Sequence, residues 1–172
     1  SKPVKLSPVI NTPYREESVQ IHPDGKTIYF SSNGHEGLGG LDIFLSRKDE
    51  NNNWTKPVNL GYPINTYMDE NSILISSKGD LAYFSSNRKG GYGSLDLYSF
   101  DVPPQFKPQP TTFVKGFVYD EEDLKPLEAS FQLTDVISNK IISEIIADPG
   151  TGQFLIALPS NSEMAFHVEH EG

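Results

Sequence analysis

The sequence contains no cysteine. That excludes disulfide stapling, thiolate-ligated zinc and a cysteine nucleophile. Basic charge is scarce as well: 14 Lys and Arg stand against 23 Asp and Glu, for a net charge of −9. Lys and Arg never run beyond two in a row. Phosphate backbones and anionic membrane surfaces both require concentrated positive charge, so neither is an expected partner. Long apolar runs are missing, so no segment is expected to span a bilayer. No segment carries a helical period. There is no Gly-Lys-Ser/Thr phosphate cradle, and no Ser/His/Asp set has the motif context of a nucleophile.

What the chain does have is a repeat. Tyr29-Phe30-Ser31-Ser32-Asn33 returns unchanged as Tyr83-Phe84-Ser85-Ser86-Asn87, 54 positions later. The same offset matches Pro3-Val4 to Pro57-Val58, Ile10-Asn11-Thr12 to Ile64-Asn65-Thr66, Glu16 to Glu70, Ser18 to Ser72, Gly25 to Gly79, and Leu41-Asp42 to Leu95-Asp96. A gapless repeat of this length marks a propeller blade or a solenoid unit.

The first copy reads as strands at 18–22, 27–32, 42–47 and 54–60, separated by a Gly turn, a Gly-rich loop and a polar turn. Four antiparallel strands and a restart describe one propeller blade. Ile28 and Phe30 point to one face and Tyr29 to the other, as expected for a sheet packed between two neighbours. The second copy supplies strands at 72–76, 81–86 and 96–101, and its fourth is missing. Residues 2–8 correspond to 56–62 and read as a short outer strand of an earlier blade, so the chain is expected to be part of a longer protein. Residues 104–110 are rich in proline and read as a stiff, extended linker. Beyond it lies a different β pattern, with strands at 113–119, 129–134, 141–147, 153–158 and 163–169. Short strands with regularly spaced turns suggest a small β-sandwich. The expected fold is therefore all-β: propeller blades over 1–103, a linker over 104–110 and a sandwich over 111–172.

Several spaced elements of the first part resemble the PD40 (WD40-like, TolB-like) propeller repeat: Trp54-Thr55-Lys56-Pro57-Val58-Asn59-Leu60-Gly61, Ile64-Asn65-Thr66, Asp69-Glu70, Tyr83-Phe84-Ser85-Ser86-Asn87 and the Gly-Ser-Leu-Asp-Leu-Tyr run at 93–98. Val114-Lys115-Gly116-Phe117-Val118-Tyr119-Asp120, Lys125-Pro126-Leu127 and Asp148-Pro149-Gly150-Thr151-Gly152-Gln153-Phe154 are similar to the carboxypeptidase regulatory-like domain, a transthyretin-like sandwich. The two in succession resemble the middle of Bacteroidetes OmpA-family envelope proteins, which include a component of the type IX secretion system. The resemblance implies a periplasmic protein associated with the outer membrane, with a peptidoglycan-binding OmpA domain that lies outside this chain. The absence of cysteine fits that setting and fits many cytosolic proteins too.

Candidate site residues divide by whether they recur. Asp42 and Asp96 each follow a Gly-rich loop and precede a strand. A carboxylate pair can serve acid/base chemistry or calcium, but a group repeated at the same place in successive blades points to loop capping. Asn33 and Asn87 are read as structural on the same ground, and Trp54 as a packing residue. His35 with Glu36, and Arg88 with Lys89, occupy the corresponding loops and differ between the copies, which makes them the candidate partner contacts. In His167-Val168-Glu169-His170, only His167 and Glu169 share a strand face, too few ligands for zinc. Asp120-Glu121-Glu122-Asp123 reads as an exposed acidic turn. No catalytic residue, metal site or cofactor is expected.

The function this implies is a non-enzymatic scaffold that binds envelope proteins, with self-association through the unfinished propeller edge, at residues 2–8 and 96–101, as a further expectation. The alternative is a propeller hydrolase or small-ligand binder of the TolB-like class.

Overall fold

The computed structural model describes residues 2–170. Its regular structure is β throughout apart from one three-residue 3-10 turn, and no α-helix occurs among the described residues. Among the described residues no helix is long and apolar enough to cross a membrane. The chain divides into two compact units, the first ending at Pro110 and the second beginning at Thr111.

The first unit holds two antiparallel sheets. Sheet 1 is β1 (Glu16–Ile21), β2 (Thr27–Ser32), β3 (Asp42–Arg47) and β4 (Val58–Asn59), in that spatial order. Sheet 2 is β5 (Glu70–Ile75), β6 (Leu81–Ser86) and β7 (Asp96–Asp101), also in chain order. The repeat is faithful down to its irregularities. The pairing of β1 with β2 slips between Glu17 and Gln20, and that of β5 with β6 slips between Asn71 and Leu74. Ser18 and Ser72, inside those slips, both take positive φ, 52° and 55°.

Alternation along the strands decides how the sheets meet. Tyr29, Ile43 and Leu45 lie on one face of sheet 1 and are fully buried in a common core with Ile73, Ile75, Ala82 and Phe84 of sheet 2. Each such side chain contributes about 1.5–3 kcal/mol by leaving water, so the contact between the two repeats is the main apolar joint of this unit. The opposite face of sheet 1, with Ile28, Phe30 and Phe44, is closed by Ile10 and Trp54.

Three expectations about this unit change. The fourth strand is only Val58–Asn59, preceded by a single bridge from Trp54 to Lys48. Pro57 has no N–H to give a ladder, which limits the strand at its N-terminal side. Residues 2–7 form no strand and nearly all are exposed. Residues 102–109 are not a free linker. Val102 and Pro108 are buried, Phe106 packs on the core, and the segment lies across the first unit as a strap. Proline removes donors but leaves carbonyls, and the side chain of Arg47 donates to two of them, Gln105 O at 3.2 Å and Lys107 O at 2.9 Å.

The second unit has a three-stranded sheet, β10 (Lys140–Ile146), β9 (Ser130–Asp135) and β12 (Met164–Glu169), and a two-stranded sheet, β11 (Gln153–Pro159) with β8 (Thr111–Phe117). Phe131 and Leu133 of β9 share a core with Ile156 of β11. The Phe131 and Phe154 rings lie 4.3 Å apart, joining the two sheets.

Candidate functional site

Most of the polar residues that recur in the sequence form the same hydrogen-bond network twice, Asn11 and Asn65 being an exception. Glu16 accepts from the Thr12 N–H, the Thr12 hydroxyl and the Ser32 hydroxyl at 3.0, 2.6 and 3.0 Å. Glu70 accepts from the Thr66 N–H, the Thr66 hydroxyl and the Ser86 hydroxyl at 2.7, 2.8 and 2.8 Å. Asn33 Oδ1 takes the N–H of Arg15 at 3.1 Å, and Asn87 Oδ1 takes that of Asp69 at 2.9 Å. Asp42 Oδ2 accepts from the N–H groups of Leu38 and Gly39 at 2.6 and 3.4 Å, while Asp96 Oδ2 accepts from those of Tyr92 and Gly93 at 2.8 and 3.2 Å. The glutamates and aspartates close their own loops, whereas Asn33 and Asn87 tie the end of β2 or β6 to the residue that precedes β1 or β5. The two aspartates cap equivalent loops in different sheets and form no pair.

Asp42 is almost fully buried. That burial pushes its carboxyl above the usual carboxylate range, against the pull of the Leu38 and Gly39 N–H groups, with nearby Glu70 adding to the rise. Asp24, in the turn before β2, goes the other way. Burial opposes its charge, but His22, the Lys26 N–H and both the hydroxyl and N–H of Thr27 outweigh burial and hold it at about 2.

His35 and Arg88 turn inward. His35 Nε2 lies 2.8 Å from Ile10 O, with its ring beside Phe30 and Phe44 at 5.8 and 5.3 Å. Arg88 donates to Pro63 O at 3.0 Å and Ile64 O at 2.6 Å, with its guanidinium 4.9 Å from both the Phe84 and Tyr98 rings. Ile10 and Ile64 are repeat equivalents, so two unlike residues clamp the same carbonyl over the same pair of aromatic positions. Both also stand by the same carboxylate. Arg88 Nη2 lies 3.3 Å from the fully buried Glu70. Glu16 is held below its usual range; burial is the largest influence and opposes this, hydrogen bonds from Thr12 and Ser32 outweigh it, and the charge of His35 assists. The difference between the copies at these positions is an exchange of one clamp for another. Glu36 and Lys89, beside them, remain exposed.

Trp54 packs on the outer face of sheet 1, with Lys48 Nζ 5.3 Å from its ring. In the second unit, His167 Nε2 meets Glu169 at 2.8 Å on an exposed face, and His170 Nδ1 instead lies 2.6 Å from Glu128 O. Among the described residues no group of three or more His, Cys, Asp or Glu is placed to hold a metal. Asp120 accepts the N–H groups of Glu122 and Asp123 within its own turn.

The joint between the sheets uses residues that the sequence reading passed over. Gln20 reads the backbone of Ile75 with both ends of its amide, accepting the N–H at 2.6 Å and donating to the C=O at 3.0 Å. Asn65 does the same to Ile43, at 2.8 Å for each bond. Asn65 was visible as a repeat residue. Gln20 had only a negative signal, since its repeat equivalent is Leu74.

No family model, curated protein or solved structure matches the chain.

Proposed function

We propose that this chain is a non-enzymatic scaffold, a pair of protein-interaction modules belonging to a periplasmic protein associated with the outer membrane. In this reading sheets 1 and 2 are a complete and an incomplete blade of a PD40-type β-propeller, and the second unit is a transthyretin-like sandwich. The arrangement resembles PorE of the type IX secretion system within the OmpA family. Partners would be envelope proteins of that or a related assembly, and peptidoglycan would be held by a separate domain.

The observation that carries the proposal is the duplicated network. Glu16, Glu70, Asp42 and Asp96 each accept from backbone N–H groups of their own loop, and the two glutamates also from neighbouring hydroxyls. What remains for function is surface: loop positions such as Glu36 and Lys89, and apolar faces that stay open. Rigid scaffolds of this kind act by presenting loops and edges to partners.

Affinity capture from envelope extracts with the chain as bait, followed by identification of what is retained, tests this. Recovery of type IX secretion or peptidoglycan-associated proteins is expected. Recovery of no envelope protein would overturn the partner assignment.

A further inference from the structure

The contacts that hold the strap follow one another along the chain. Val102 donates its N–H to Asp80 O at 2.8 Å as the strap leaves β7. Phe106 then packs on the joint core, while the Tyr29 hydroxyl and the Arg47 side chain bond the carbonyls of residues 105–107. Pro108 lies against Gly79, and the Gln109 N–H reaches Asp24 Oδ2 at 3.0 Å. β8 begins at Thr111, so Pro110 alone separates the strap from the second unit.

The grip is a task added to the blade. Residues that build both sheets recur at the 54-residue offset, but the equivalents of Asp24 and Arg47 are Lys78 and Asp101, of opposite charge. The equivalent of Tyr29 is Tyr83, which is half exposed. The strap itself is composed to live in water as well as on the sheets. Residues 103–110 lie in no strand, and the prolines at 103, 104, 108 and 110 have no N–H to offer one. The bonds that Tyr29 and Arg47 make to the strap run from side chain to carbonyl, each of modest net strength. Pro104, Gln105, Lys107, Gln109 and Pro110 already face solvent, while Val102 and Pro108 are buried and Phe106 is half-buried. Pro103 and Lys107 have extended backbones, with φ/ψ of −58/145° and −64/131°. A segment of this kind stays stiff and extended when it is free, so release gains it little disorder.

We propose that the strap is a releasable tether that gives the chain two reaches. Docked, it leaves Pro110 as the link between the units. Released, residues 102–110 become a spacer of about 28 Å, at about 3 Å per residue. Load drawn from the second unit arrives at Gln109 and meets the contacts in turn, back to Val102. The strap therefore peels, and its bonds are not all sheared at once. Peeling uncovers the Tyr29 hydroxyl and the seat of Phe106, and re-docking covers them again. In a scaffold whose two units hold different partners, the distance between them can then grow under tension while both units stay folded. The purpose of the tether rests on the scaffold reading, whereas its release can be measured with no partner present.

Native-state proteolysis and pulling test this on the whole chain. Thermolysin cleaves before Phe106 only when the ring leaves its seat, so slow cleavage reads the released fraction. The rate is expected to exceed, by at least about ten-fold, the rate that global unfolding allows, as read from amide exchange in β2 and β6. It should stay nearly flat in low urea, because release exposes little surface. Tyr29→Phe should raise it about five- to ten-fold. Native cysteine is absent, so Asn51→Cys and Ser162→Cys, both at exposed positions, supply one pulling handle in each unit. A reversible lengthening of about 20–30 Å is expected below the force that unfolds either unit, and at lower force in the Tyr29→Phe chain. Cleavage that rises with urea in step with β2 and β6 exchange overturns the inference, and so does a chain that shows no step before a unit unfolds. Capture of envelope proteins by a chain whose strap never releases would overturn the tether and leave the scaffold reading standing. Release in a chain that captures none would do the reverse.

Discussion

The Tyr29 hydroxyl donates to the carbonyl of Phe106 at 2.7 Å, across 77 positions of sequence. Burial raises the phenol's pKa, so the group remains a donor and has its acceptor supplied by the proline-rich strap. The same strap brings the Gln109 N–H to Asp24 Oδ2 at 3.0 Å. A segment whose composition suggests a spacer therefore works as the outer wall of the joint between the sheets.

This separates two glycines that are identical in the repeat. Gly25 and Gly79 both have positive φ, 67° and 71°, but a Cβ at Gly25 meets nothing within 4 Å, whereas at Gly79 it falls 2.6 Å from Pro108 Cδ. Gly25→Ala is expected to cost about 1 kcal/mol through backbone conformation alone. Gly79→Ala should cost at least about 1 kcal/mol more by pushing the strap off. Denaturant unfolding followed by Trp54 fluorescence reads both, and equal losses would mean that the strap does not hold.

The Arg88 and His35 clamps differ in what they leave behind. Arg88→Met removes the cation beside Glu70, whose side chain is 0% exposed, while Arg88 itself is 21% exposed. Allowing for that partial solvation, the loss is expected to be about 2–3 kcal/mol. Adding Glu70→Gln should recover part of it. His35→Ala should cost about 1 kcal/mol, the scale of one hydrogen bond. A double-mutant cycle on urea unfolding checks this: zero coupling between positions 70 and 88 would contradict the proposed pairing.

Asp24 gives the first unit a defined acid sensitivity. Its carboxyl is held at about 2 against an ordinary 3.8, so the folded state binds its proton less readily than the unfolded state does. The resulting stability is fully present above pH 4 and is lost as pH falls through 2. The shift corresponds to about 2 kcal/mol. Asp24→Asn should lower stability at neutral pH and flatten the decline between about pH 4 and 2. Parallel decline of both proteins across that window would show that Asp24 is not the responsible group.

Much of the architecture was legible because it depends on local pattern. The β2, β3, β6 and β7 strands fall at 27–32, 42–47, 81–86 and 96–101, where β-branched and aromatic residues alternate between glycine-bearing turns. Recurrence alone marked Asp42, Asp96, Asn33 and Asn87 as architectural; which backbone groups they bond, the near loop for the aspartates and Arg15 or Asp69 across the strands for the asparagines, needed the fold. The rest depends on what the fold brings alongside. Residues 2–7 match the segment that holds β4 in the other repeat but form no strand. His35 and Arg88 share no chemistry beyond a donor and a flat, cationic or polar face, so their common role emerges only when both are seen beneath equivalent carbonyls. Gln20 and Asn65 read backbone groups, and a backbone acceptor leaves no trace in sequence.

The proposed scaffold role is tested most directly by amide hydrogen exchange on the chain, alone and in complex with a captured envelope protein. The account predicts slowed exchange in the loops spanning 34–40 and 88–93, where Glu36 and Lys89 stay exposed, with β2 and β6 unchanged because they are already internal. A complex that leaves both loops exchanging as in the free chain would contradict it.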